Sequence, residues 1–491
     1  MAEGTVRPLS PTLAAGLVFL ASGAVLVLEI LGVRLLAPYV GLTLETTTSI
    51  IGTALAGIAL GAALGGRLAD RTDPRRLLAG LLVGGGLLTL LCVPIVRALG
   101  PALRDGGDLA ALGVTLLALL PPAAVLSAVT PTVARLQLHD LRASGTVVGR
   151  LSAWATAGAL AGTFGTGFVL VPLVPVGVSV AAVGALLVLA GVAFGLGTGT
   201  AAVDRAAASV AAAVAFTVLT LGAAAPCDVE STYHCARVVE DPAREGGRVL
   251  VLEDLSHSYV DLDEPRHLEF GYVRWIGDAI DALAPPGEPL DSVFVGGGGF
   301  TLPRYVAATR PGSRSRVLEV DGELVELARD RLGLETGPDL RVTVGDARVT
   351  LRGLDGDSAD LLVGDAFSSR AVPWHLATAE WVEEVRRVLR PGGLYALNVI
   401  DQEPLKLLRA EAATLLEAFA DVRLVALAGP DGPAGGNLVL LASDRPLGPA
   451  VGSSARGAKT LDRAAVERLA ADADPLTDDD APADQLLSGL P

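Results

Sequence analysis

Two regimes of patterning divide the chain at Pro226. Before it, apolar residues run on in seven stretches, at 13–38, 50–68, 77–96, 109–133, 151–171, 176–196 and 206–225. Each is close to the ~20 residues that cross a hydrocarbon core, so the pattern predicts seven transmembrane helices, with the lipid bilayer as a partner. The first stretch is too long and too weakly flanked for a cleaved signal peptide and reads as a retained span. Past Pro226 the runs shorten. β-rich pieces from Ala236 to about Tyr272 (RVLVLED, HSYVDL) predict a small antiparallel subdomain, which APPGEP punctuates. Strand-like runs then start at Ser292, Arg316, Arg341, Asp360 and Gly393, with two more at 422–428 and 437–442. They alternate with helical runs such as 323–331 and 378–389, the arrangement of a seven-stranded, doubly wound, Rossmann-like α/β sheet. The expected organisation is a multi-pass α-helical membrane domain (1–226), a small β-rich subdomain (227–285), the sheet domain (286–445) and an acidic tail (446–491) with one helix at 461–471.

Between Asp291 and Asp321 the sequence DSVFVGGGGFTLPRYVAATRPGSRSRVLEVD joins a strand, four glycines, a helix and a second strand ending in Glu319 and Asp321. Glycines let the backbone approach a ligand with no Cβ in the way, and the next helix begins with free N–H groups. An acid about twenty residues on is placed to take two ribose hydroxyls. A dinucleotide fingerprint needs a third glycine, but Gly296 and Gly298 are followed by Thr301, so NAD is disfavoured. The strand RVTVGDA ends in Asp346, whose carboxylate can accept from an adenine amino group, and ADLLVGDAF ends in Asp365. Four successive strand ends, one Gly-rich and three acidic, fit a sheet of the S-adenosylmethionine (SAM) type, with its ligand off the carboxyl ends of the strands.

At these residues the chain resembles the spermidine synthase (polyamine aminopropyltransferase) family, and within it the bacterial branch fused to a multi-span membrane region. The pieces that carry the resemblance are LEDLSHSYVDLDEPRHLEF, VFVGGGGFTLPR, VLEVDGELVELAR, VTVGDAR, LLVGDAFSS and LRPGGLYALNV, over about 248–401. It implies transfer of an aminopropyl group from decarboxylated SAM, a co-substrate rather than a permanently bound cofactor, to putrescine or a related small amine. Asp365 matches the first acid of the family's D-x-x-D pair, the general base, and Ser368 stands uncharged at the second. Gly296, Gly297, Gly298, Glu319, Asp346 and Ala347 match the nucleoside-binding positions. His257 or Ser258 falls near a family glutamine, His267 and Leu268 fall where a Tyr-His pair would be, and Glu269 matches the acid that follows. The family loop GGGDGG holds an aspartate for the donor's ammonium. GGGGF has none, and so lacks a group that would repel the carboxylate of intact SAM. Two other readings stay open: methyl transfer from intact SAM, and a non-catalytic membrane protein whose soluble half senses a nucleoside or polyamine or accompanies transport.

Composition and charge narrow the partners. The chain is 51% hydrophobic but only 4% aromatic. Up to Pro226 twelve arginines against nine acids give about +3, and the remainder carries about −19 of the net −16. An acidic surface repels nucleic acid and tolerates cationic ligands. Glycines 57, 61 and 65, and Gly158 and Gly162, recur four apart and predict close helix packing. GGRLADRTDPRR resembles the cytoplasmic loop signature of major facilitator transporters, although seven spans are not twelve. Glu29 lies inside the first span, either ion-paired, with Arg34 or another helix, or functional. Cys227 and Cys235 suit a disulfide on an oxidising side or two free thiols; with His234 they make a poor metal site, and no metal is expected. Arginines concentrate at Arg67, Arg71, Arg75, Arg76, Arg135, Arg142, Arg150 and Arg205, against Arg97 and Arg104 in the intervening loops, which puts the amino terminus in the cytoplasm. Seven crossings then lean the soluble half of this cell-membrane protein to the outer side, and one span more or fewer reverses that. The oligomer, a homodimer included, is left open.

Overall fold

The computed structural model describes residues 9–41, 44–103, 107–138, 144–367, 372–429, 432–451 and 457–487, and the chain divides into two compact units, Met1–Cys235 and Ala236–Pro491. The first unit holds seven helical segments long and apolar enough to cross a membrane, from Pro11–Val40 to Val203–Gly222. Their starts follow local chemistry. The Ser10 hydroxyl accepts from the Leu13 N–H ahead of Pro11, and the Asp73 carboxylate accepts from the Arg75 N–H ahead of Pro74.

Small residues decide how these helices meet. A Cβ on Gly61 would lie 2.1 Å from the Ala124 carbonyl oxygen, and one on Gly158 would lie 2.2 Å from that of Phe19. Backbones approach this closely only where side chains are absent, so both glycine stripes are packing seams. Arg34 spends its guanidinium on the carbonyls of Ser231 and Thr232 rather than on Glu29, so of the alternatives open to Glu29 the ion pair with Arg34 is not formed. Of the two states open to the cysteines the disulfide is present, with Cα atoms of Cys227 and Cys235 5.4 Å apart. Glu230, inside the loop it closes, accepts from the Val176 N–H at 2.9 Å and lies 3.8 Å from the Arg97 guanidinium. The loop is thereby tied to the ends of two spans.

A small sheet follows in sequence order, β1 (Val229–Glu230), β2 (Cys235–Glu240), β3 (Gly247–Leu252) and β4 (Leu255–Asp261). The expected β-rich stretch 227–285 is not all strand. Gly271–Leu283 is a helix, because Tyr272, Val273, Trp275, Ile276, Ala279 and Ile280 recur at helical spacing and are buried on one face.

The main sheet contains β5 (Asp291–Val295), β6 (Arg314–Glu319), β7 (Leu340–Val344), β8 (Ala359–Gly364), β9 (Leu389–Asp401), β10 (Asp421–Leu427), β11 (Gly436–Ser443) and β12 (Ala458–Leu461), in the order β12-β10-β11-β9-β8-β5-β6-β7. β5 to β9 are parallel neighbours, while β11 runs antiparallel between β9 and β10. Central β5 is buried along nearly its whole length, as a parallel strand covered on both faces must be. Strand order reverses at β5, so the carboxyl ends of β5, β6 and β8 open a crevice there.

The sheet has eight strands rather than the expected seven. The addition, β12, comes from the tail, which is therefore not simply solvated: Val466, Leu476 and Ala483 are buried. Asp478 accepts from the Thr378 hydroxyl at 2.7 Å and pairs with Arg348. Apolar residues spaced through an otherwise acidic segment are enough to dock it.

Glu411 lies on the helix Lys406–Ala418, 1% exposed, and neither carboxyl oxygen has a hydrogen-bond partner among the described residues. Burial pushes its carboxyl up to about 8. A folded-state pKa above the unfolded one contributes stability present at low pH and lost as pH rises from about 4.5 through 8, on the order of 5 kcal/mol over that window. Thermal unfolding of the detergent-solubilised protein from pH 5 to pH 9 is expected to show this decline, and Glu411→Gln to lessen it, most of all between pH 7 and pH 8, above the midpoint of Asp365, whose carboxyl is also raised.

Candidate active site

The crevice is built first by the loop after β5. Gly296 has φ +93° and Gly298 φ +49°, conformations that favour glycine. A Cβ on Gly296 would lie 2.5 Å from the Asp365 carbonyl oxygen, and one on Gly298 would lie 2.6 Å from Ser258 Oγ. Glycine is thus needed where the loop touches β4 and the end of β8. Phe300, fully buried and itself at φ +58°, closes the turn by donating its N–H to the Gly297 carbonyl at 2.7 Å. Its ring lies under the loop, and the helix Thr301–Thr309 starts from it.

Glu319, 6% exposed, accepts from the Gly297 N–H at 2.6 Å and from the Asp321 N–H at 2.9 Å. Burial raises its pKa and these amides offset only part of the effect. Each oxygen keeps a lone pair beyond the amide it holds. Asp346 caps the short helix Ala347–Thr350 through the Arg348 N–H at 2.7 Å and faces His375 Nε2 at 3.2 Å; Ala347 is buried beside it.

Asp365, at the end of β8, is a buried carboxyl held by two side-chain donors. Asn398 Nδ2 donates to its Oδ1 at 2.8 Å, and the Tyr272 hydroxyl donates to its Oδ2 at 3.2 Å. Burial pushes the carboxyl up to about 7, against these two donors, which favour the charged form. The Tyr272 phenol is driven well above its ordinary value by burial and by the neighbouring Asp365, and stays protonated. A carboxyl that exchanges its proton near neutrality is suited to general-base work.

Ser258, Glu269, Gly296, Gly297 and Asp365 line one cleft together with Tyr272, Phe270 and Thr301, around about 460 Å³ of atom-free space that is partly open to solvent. Other expected site residues fall outside its lining. Gly298 lies within the loop, Glu319 holds the Gly297 amide from the end of β6, and Asp346 and Ala347 follow β7. His257 falls where the β3–β4 register shifts, whereas Ser258 next to it accepts from the Gly299 N–H at 3.0 Å. His267 packs edge-on to Tyr259 and reaches Glu269 through Nε2 at 2.9 Å; Arg274 approaches the same carboxylate at 3.3 Å. Ser368 lies outside the described residues. Tyr272 and Asn398 went unread in the sequence. Each is a polar side chain in an apolar run, EFGYVRW and ALNVI, and such a group has to find a partner once buried.

Loop and strand order together define a Rossmann-like α/β sheet of the methyltransferase type. No family model matches the chain. A polyamine aminopropyltransferase of Vibrio vulnificus is 29% identical over 187 residues, 38% of this chain and 59% of that protein. An eEF1A lysine and N-terminal methyltransferase of Danio rerio is 26% identical over 130 residues, 25% of this chain and 19% of that protein. The solved structure of a probable spermidine synthase from Corynebacterium glutamicum is 28% identical, covering 50% of this chain and 94% of that one, with a TM-score of 0.47. The chain thus spans less than two thirds of either curated relative. Both of those are transferases, and the similarity supports a spermidine synthase-like, SAM-related transferase fold.

Gly296→Ala is expected to push the Asp365 carbonyl aside and to strain a left-handed position, costing about 1–3 kcal/mol. Its unfolding temperature should fall, whereas Gly287→Ala, at φ +83° with open space around it, should show the backbone strain alone.

Proposed function

We propose that this is a membrane-bound aminopropyltransferase of the spermidine synthase type, taking the aminopropyl group of decarboxylated SAM to putrescine or a related small amine. The observation that carries this reading is the buried Asp365 carboxyl, pushed up to about 7 and facing a cleft bordered by a glycine loop. In the reaction the amine nitrogen attacks the carbon beside the sulfonium, and the carbon–sulfur bond breaks with its electron pair going to sulfur. Methylthioadenosine leaves, and the new ammonium gives a proton to Asp365. Glu319 and Asp346 hold ribose and adenine in this reading, and Glu269 adds a second carboxylate on the amine's side of the cleft.

A second reading, methyl transfer from intact SAM, is favoured by one feature: the loop position that would bear an acid is followed by the buried Phe300, and no acidic residue lies between Gly296 and Phe300. The two differ in product. Detergent-solubilised full-length protein given decarboxylated SAM and putrescine should release methylthioadenosine, with a rate that rises as pH passes through about 7. Asp365→Asn should lower it about 10²–10⁴-fold and remove that rise. S-adenosylhomocysteine formed from intact SAM, with no methylthioadenosine, would move the assignment to methyl transfer. Binding of either donor without turnover would leave a sensor.

Independently of that reaction, seven crossings, the arginine distribution and the Cys227–Cys235 disulfide lean the soluble half to the outer side of the cell membrane, and one span more or fewer reverses this. A donor made in the cytosol then has to cross. After mild reduction of intact cells, an impermeant maleimide should label Cys227 and Cys235; labelling that requires lysis would reverse the orientation.

A further inference from the structure

We propose that Asn398 is a positioning residue for Asp365, its side-chain amide fixing one carboxylate oxygen and thereby setting how tightly that carboxyl holds its proton. The inference rests on Asp365 as the base, but it concerns a different residue on a different strand. Asn398 is 3% exposed on β9, where Leu397 and Val399 face the large apolar core. Alternation along the strand turns Asn398 to the opposite face, beneath Asp365. There Nδ2 donates at 2.8 Å, while Oδ1 is buried and has no hydrogen-bond partner among the described residues.

That unpaired oxygen is the informative feature. A buried carbonyl without a partner destabilises the fold, and a leucine of similar volume would avoid the loss. Packing by itself therefore argues against asparagine at this position. What the amide supplies is one charge-favouring hydrogen bond to a carboxyl that desolvation drives toward its neutral form. The other titratable group on Asp365 is the Tyr272 hydroxyl, donated from the helix Gly271–Leu283. Glu269 lines the same cleft, with His267 and Arg274 on its carboxylate. Tyr272 also lines the cleft, so replacing it would disturb the ligand surface. Asn398 is not among the lining residues, so replacing it tests the hold on Asp365 alone.

The experiment follows the Asp365 carboxyl by infrared difference titration of the full-length protein in detergent, its band assigned by loss in Asp365→Asn. Asn398→Leu should raise the titration midpoint by about one unit, a tenfold gain in proton affinity. Asn398→Gln, which keeps an amide, should return the midpoint part of the way. Asn398→Ala carries the same expectation for the midpoint if leucine does not pack. An unmoved midpoint in leucine and alanine variants alike would overturn the proposal, and so would a fall in unfolding temperature with the midpoint unchanged. Because the band is read without turnover, the proposal can stand where methylthioadenosine is never formed, in which case the aminopropyl reading fails separately. Where turnover is present, the acid limb of its pH profile should move with the band.

Discussion

A carboxyl group taken out of water loses most of its preference for the charged form, and hydrogen-bond donors restore only part of it. At Asp365 burial outweighs the Asn398 amide and the Tyr272 hydroxyl, and the net effect is a carboxyl that exchanges its proton near neutral pH. Three elements have to meet for this: the end of β8, the middle of β9 and the first turn of the helix Gly271–Leu283. The loop after β5 depends on the same point, since only a residue without a Cβ can pass the Asp365 carbonyl where Gly296 does. The cleft, the acid and the glycine loop are one constraint seen from three strands.

The seven apolar helices of the first unit meet by a different rule, through close backbone approach and through polar ties at their ends. Gly61 against Ala124 and Gly158 against Phe19 provide the approach. The loop closed by Cys227 and Cys235 provides a tie, its Glu230 carboxylate taking the first N–H of the span Val176–Gly197 and drawing in Arg97. An arginine within a span, Arg34, is satisfied by carbonyls of that loop. Its partner is almost two hundred residues away in sequence, which is why the nearby Glu29 looked like the natural choice.

Phe300 illustrates how one loop position can shape chemistry without touching the reacting atoms. Its ring sits within the reach of a Cβ on Gly297 and beside Glu319, filling space beneath the loop. With apolar volume there and no carboxylate between Gly296 and Phe300, recognition of a donor's charged tail has to come from elsewhere in the cleft. Glu269 is the other carboxylate lining it, and it already answers to His267 and Arg274.

Much of this architecture is written in local pattern. Long apolar runs make helices long enough to cross a membrane, parallel strands buried on both faces read as continuous apolar segments, and a glycine run between strand and helix marks a close backbone approach; none of these needs a distant contact to be recognised. Asp365, Glu319 and Asp346 could be picked out because each stands at or just beyond a strand end, although of the three Asp365 alone is among the residues lining the cleft. What depends on residues far apart in sequence was decided only by the tertiary structure: β12 joining from the tail, Asp478 reaching Arg348, Arg34 turning to Ser231 and Thr232. Tyr272 and Asn398 belong to that group. Nothing in EFGYVRW or ALNVI says which acid a buried hydroxyl or amide will meet, because that partner lies 93 residues away in one case and 33 in the other, and only folding brings them within hydrogen-bonding distance.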